Sequence, residues 1–158
     1  MGYLGPPPPK PVHPWNKSKQ PLKLAEFKPA LAINEDILKR YAANRLRVVQ
    51  QVKYSLHNEN CIDLVLFLNG VPVATVELKT DFTQSIGDAI DQYRFDRNPR
   101  PKGQTLEPLL SFPNGALVYF AVSNSEVARG TKLDGPATKF LPFNLGNDGA
   151  SGNPLNPN

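Results

Sequence analysis

The sequence predicts an α/β chain of the α+β kind, with a mixed central sheet flanked by helices in the order α-β-β-β-α-β. Three observations predict it. Residues 46–54 alternate apolar and polar side chains with the period of a strand. Residues 61–79, CIDLVLFLNGVPVATVELK, form two apolar, β-branched-rich runs around an Asn-Gly turn. Ile86, Ala89, Ile90 and Tyr93 then fall at i, i+3, i+4 and i+7, and the continuous apolar run ALVYFAV follows at 116–122.

Residues 1–30 are rich in proline, with an unbroken run at 6–9, and form neither a helix nor a central strand. They read as an extended or disordered leader. A flexible spacer, a proline-rich ligand for a partner domain and a segment foreign to the domain all fit. The domain itself is expected over 31–130. Asn34 caps a short helix whose first turn carries Glu35 and Asp36, whose apolar stripe is Ile37, Leu38 and Tyr41, and which ends near Asn44. The half-exposed strand over 46–54 leads through the turn His57-Asn58-Glu59-Asn60 into the central hairpin. After Lys79 come a loop and a helix opened by Ser85-x-x-Asp88, a capping box with Asp in the place of the usual Glu, and stopped by Pro99 and Pro101. The run at 116–122 suits a strand buried on both faces. The remainder, 131–158, is rich in Gly, Pro and Asn and reads as a loop leading out of the domain.

Composition narrows the function classes. A chain of 158 residues accommodates one domain with a real core. No apolar run approaches the ~20 residues of a membrane span, and the first ten residues lack the apolar stretch of a signal peptide. Cys61 is the single cysteine, which excludes a disulfide framework and fits a reducing, cytoplasmic setting. The net charge of +4 resides in residues 1–30, which leaves 13 basic and 13 acidic residues for 31–158. DNA binding therefore does not follow from overall charge. Two local clusters are candidates for phosphate contact: Lys39, Arg40, Arg45, Arg47 and Lys53, and then Arg94, Arg97, Arg100 and Lys102. His13 lies in the leader and His57 in a turn, so a histidine-based nucleophilic triad is not expected.

The chemistry concentrates in residues 61–79. An isolated carboxylate inside a run as apolar as Ile62 to Leu68 costs several kcal/mol to bury, on the order of the penalty for any unpaired ion, so Asp63 needs a partner. Glu77 and Lys79 are two apart on a strand and share a face. A regular two-residue turn at Asn69-Gly70 pairs Leu68 with Val71 and sets Asp63 opposite Val76, away from Glu77. A one-residue shift, expected as a bulge at Gly70 or an equivalent one elsewhere in the hairpin, brings Asp63 onto the face of Glu77 at about 7–8 Å. Asp63 and Glu77 are then ligands for Mg²⁺, with the Leu78 backbone carbonyl a further candidate. Lys79 orients water or balances negative charge on a phosphate. An exposed Glu/Lys pair that merely solubilises a strand end is the plainer alternative.

Asp63, Glu77-Leu78-Lys79 and the hairpin between them resemble the PD-(D/E)xK nuclease superfamily. NENCIDLVLFLNGVPVATVELK, DAIDQYRFDRNP and TKFLPFNLGNDGASGNP together resemble the N-terminal domain of the restriction (R, motor) subunit of type I restriction-modification enzymes, over about residues 41–158. The resemblance implies a restriction-endonuclease-like fold and a Mg²⁺-dependent endonuclease that cuts double-stranded DNA beside modification and specificity subunits. It implies ATP binding only in translocase domains. The chain has no G-x-x-x-x-G-K-[ST] loop and is read as a fragment or a truncated gene product. The family's helix glutamine corresponds to Gln92, a DNA-contact candidate, while Tyr93 is a core residue by its place on the apolar stripe. Arg94 and Arg97 are expected to reach phosphate from the exposed helix face or to pair with Asp91 and Asp96. The alternatives to cleavage are an inactive nuclease-fold piece that binds DNA or partner subunits, and a structural adaptor.

Overall fold

A computed structural model describes residues 23–146 and 148–153. Most of the leader, including the proline run at 6–9, lies outside the described residues, as do 154–158. The elements are α1 (Glu35–Ala42), β1 (Leu46–Lys53), β2 (Cys61–Leu68), β3 (Val71–Leu78), α2 (Ile86–Asp91), β4 (Val118–Val122), β5 (Val127–Gly130) and β6 (Leu141–Pro142). A wide turn over Gln92–Asp96 extends α2. The strands form one mixed sheet in the order β1-β2-β3-β4-β5-β6. Every neighbouring pair is antiparallel except β3 and β4. A parallel pair needs a long crossover, and residues 79–117 supply it and carry α2.

The α1 start is as the sequence predicts, with the Asn34 Oδ1 accepting from the Asp36 and Ile37 N–H groups at 3.0 and 3.2 Å. The Asp88 carboxylate accepts from the Ser85 N–H at 2.6 Å and from the Ser85 hydroxyl at 2.9 Å, which closes the N-terminus of α2. Ala89, Ala121 and Ala128 are buried where α2 meets β4 and β5, small residues that allow helix and sheet to approach closely. Tyr93 is fully buried. Its hydroxyl is 2.9 Å from the Thr75 hydroxyl, and its ring meets Tyr119 edge-on at 5.8 Å. Tyr119 in turn donates to the Leu110 carbonyl at 2.8 Å.

The structure departs from the sequence reading in five places. Strand β1 is an edge strand exposed on both faces up to Gln51, with Leu46 79% accessible, because nothing among the described residues packs over it. Helix α1 buries none of its residues, and its stripe of Ile37, Leu38 and Tyr41 is only partly covered. Strand β4 is not sealed on both faces: Tyr119 and Ala121 are buried beneath α2, whereas Val118, Phe120 and Val122 are half-buried. Strand β5 was not expected at all; it is four residues long with no clear alternation and owes its form to pairing with β4. Beyond β5, Leu133 is buried, Phe140 packs on both core clusters, and β6 pairs with β5. Residues 23–29 form no regular element, and the Glu26 backbone is held by Asn44: the Glu26 carbonyl accepts from Asn44 Nδ2 at 2.6 Å.

Candidate active site

The β2–β3 hairpin decides whether the carboxylates meet. Leu68 pairs with Val71, and Asn69 and Gly70 have φ of 52° and 87°, so the turn is the regular two-residue one with positive φ at both positions. The expected bulge at Gly70 is absent. The register shifts instead between Leu66 and Phe67: Phe67 pairs with Pro72 but Leu66 pairs with Ala74, which leaves Val73 as the extra residue on β3. Pro72 explains the position, since it has no N–H for the ladder and proline inside a sheet is tolerated at bulges. The pairs then run Val65 with Thr75 and Leu64 with Val76. Continued by one step, this register sets Asp63 opposite Glu77.

Ladder pairing between β2 and β3 ends at Leu64 and Val76, and a side chain takes over. The Leu78 N–H donates to Asp63 Oδ2 at 2.8 Å. The other oxygen, Oδ1, accepts from Gln51 Nε2 at 3.2 Å. Gln51 has a φ of 50°, a conformation that β-strand residues rarely adopt, beside the point where Asp63 turns toward β3.

Glu77 is fully buried. Its Oε1 accepts from Arg97 Nε at 2.7 Å, and its Oε2 is buried with no hydrogen-bond partner. Burial pushes its carboxyl up to about 7, against the opposing effect of the Arg97 guanidinium and with a further rise from Asp63 beside it. A carboxyl raised in the folded state favours folding below its unfolded value of 4.5, and that contribution is lost as pH rises through 7. Without divalent cations, the chain is expected to lose about 3 kcal/mol of stability between pH 4.5 and 7 relative to Glu77→Gln. Urea midpoints of both proteins across that range check this, and parallel pH profiles would refute it.

Lys79 is half-buried, and its N–H donates to the Val122 carbonyl at 2.8 Å. It lines an open cleft with Gln84, Asp88, Asp91, Gln92 and Phe95. Gln92 is thus brought beside Lys79, and its Oε1 is buried without a partner. Arg94 is engaged: it pairs with Asp91 at 3.5 Å, and its Nε and Nη2 donate to the Thr138 carbonyl at 3.3 Å. Arg97 is not on the exposed face. It is 6% accessible, donates to Glu77, donates through Nη2 to the Cys61 carbonyl at 2.9 Å, and lies 5.7 Å from the Tyr54 ring centroid. Its burial takes it out of reach of phosphate. The stripe 86, 89, 90, 93 continues to 97 at helical spacing, so the inward position of Arg97 was legible. Gln51 carried no such signal. Cys61 is half-buried.

Among the described residues, no group of three or more His, Cys, Asp or Glu side chains forms a metal cage. Two carboxylates, one of them with an orphaned buried oxygen, nevertheless offer hard oxygen donors of the kind Mg²⁺ takes, an ion that keeps several of its waters.

Residues 17–138 match the family model described as the type I restriction enzyme R protein N terminus. The chain belongs to this family. The match takes in Asp63, Glu77, Lys79, Gln92 and Arg97, and it begins at residue 17, upstream of the stretch from about 41 that carries the sequence resemblance. Part of the expected leader, including Glu26, therefore lies in the R-protein segment. No curated protein and no solved structure matches the chain. Among the described residues, no helix is long and apolar enough to cross a membrane.

Proposed function

We propose that this R-protein segment is a Mg²⁺-dependent endonuclease centre that hydrolyses phosphodiester bonds of double-stranded DNA within a type I restriction complex. The observation that supports it most is the register set by Val73, whose continuation one step beyond the Leu64–Val76 pair puts Asp63 opposite Glu77 in a chain of this family. Asp63, Glu77 and the Leu78 carbonyl would hold the ion, which when bound polarises the phosphate and lowers the pKa of a water. The Lys79 N–H, which shares a peptide plane with the Leu78 carbonyl, donates to the Val122 carbonyl and so sets where the Leu78 carbonyl points. Lys79, which lines the cleft, supplies a compact positive charge to balance charge on the phosphate. Gln92, half-buried and lining the same cleft, contacts the DNA. The modification and specificity subunits, and ATP in a translocase region of the same subunit, complete the machine.

A second reading is a nuclease-fold piece that binds without cutting. It draws on the Glu77–Arg97 pair, which gives the buried carboxylate a counter-charge with no metal. Unmodified plasmid presented to the assembled R, modification and specificity subunits with ATP separates the two. Cleavage in Mg²⁺ that stops in EDTA is expected. Binding without cleavage in Mg²⁺ would establish the second reading instead.

A further inference from the structure

The geometry points to Arg97 as the positioning residue that sets the spacing of the two carboxylates, an inference that rests on the metal-site reading above. Beyond Leu64 and Val76 the two strands carrying Asp63 and Glu77 are no longer held by ladder pairs. Arg97 spans that gap. One nitrogen holds Glu77 Oε1 on β3 at 2.7 Å, and another holds the Cys61 carbonyl, two residues before Asp63 on β2, at 2.9 Å. The Tyr54 ring at 5.7 Å and burial to 6% accessibility fix the guanidinium between them. With Oε1 taken by Arg97, Oε2 is the oxygen left without a partner. A planar fork reaches two acceptors on two strands at once, which the single ammonium of a lysine does not reproduce. Arg97 thus dictates which Glu77 oxygen is free and how far β2 and β3 diverge at the site.

The test is Mn²⁺ binding to the chain, followed by the loss of the free-ion EPR signal, for wild type, Asp63→Asn, Arg97→Lys and Arg97→Gln. Circular dichroism and thermal melts confirm that each is folded at the assay temperature. Wild type is expected to bind Mn²⁺ in a manner lost in Asp63→Asn. Arg97→Lys is expected to bind about 10- to 100-fold more weakly while still folded. Arg97→Gln is expected to be at least as weak where it folds, and Arg97→Lys alone decides the matter where it does not. Affinity in Arg97→Lys equal to wild type would refute the positioning role. Tighter binding would make Arg97 a competitor of the ion and refute it equally. Wild type that binds no better than Asp63→Asn would instead overturn the metal-site reading, and the positioning role with it.

Discussion

Asp63→Asn, Glu77→Gln and Lys79→Met are each expected to lower DNA cleavage by the assembled complex about 10³-fold or more, with ATP hydrolysis unchanged. A factor of that size corresponds to about 4 kcal/mol of lost transition-state stabilisation, within what a metal ligand or a charge aimed at a developing oxyanion supplies. The three substitutions act differently. Asn keeps the shape of Asp63 and can still accept from the Leu78 N–H, but it removes the charge. Gln at 77 keeps an acceptor for Arg97 and relieves the burial of a carboxylate, so this variant should be at least as stable as wild type at neutral pH while losing cleavage. Met at 79 keeps an unbranched apolar stem of four atoms and removes the ammonium. Because the three residues act as one unit, pairs of these changes should reduce the rate little beyond the single changes. Single-turnover cleavage of supercoiled plasmid measures all of this, alongside phosphate release from ATP. Cleavage by all three at the wild-type rate would end the catalytic assignment.

The strand periods and the helix stripe were legible because side-chain direction in β2, β3 and α2 follows spacing alone. The need for a one-residue shift was also legible, since Asp63 and Glu77 share a face only if an odd residue is inserted. Its place was not. A Gly after Asn suits either turn geometry, and Pro72, which breaks the ladder and puts the extra residue at Val73, weighs in only once β3 is known to pair with β2. Strand β5 was missed for a related reason: four residues carry too little pattern, and the edge of β4 supplies the rest. Arg97 shows the reverse case. Its charge suggested the surface, yet its spacing from Tyr93 placed it on the buried stripe, and the carboxylate waiting there reverses the usual preference of arginine for water.

Arg97→Met is expected to destabilise the chain by about 3–5 kcal/mol at pH 8, the range for removing one partner of a buried ion pair. The pair is fully within the fold, with Glu77 inaccessible and Arg97 6% accessible, so solvent screening does little to soften the loss. Three things go together: the counter-charge of Glu77, a donor to the Cys61 carbonyl, and the cation over Tyr54. The effect should shrink toward acid pH. Without Arg97 the Glu77 carboxyl rises beyond about 7, and below the unfolded value of 4.5 it is neutral in both states and needs no partner. The double change Arg97→Met with Glu77→Leu should recover most of the loss, because an apolar pair of similar volume replaces two buried charges. Urea midpoints at constant m, for the two single variants and the double, give the coupling. Purely additive effects would show that the two residues do not act as a pair. The double variant also separates stability from function: it is expected to fold as well as wild type and to cut no DNA. A buried ion pair that the fold can replace at little cost is one retained for what it holds in place, here the oxygen of Glu77 that Arg97 leaves free.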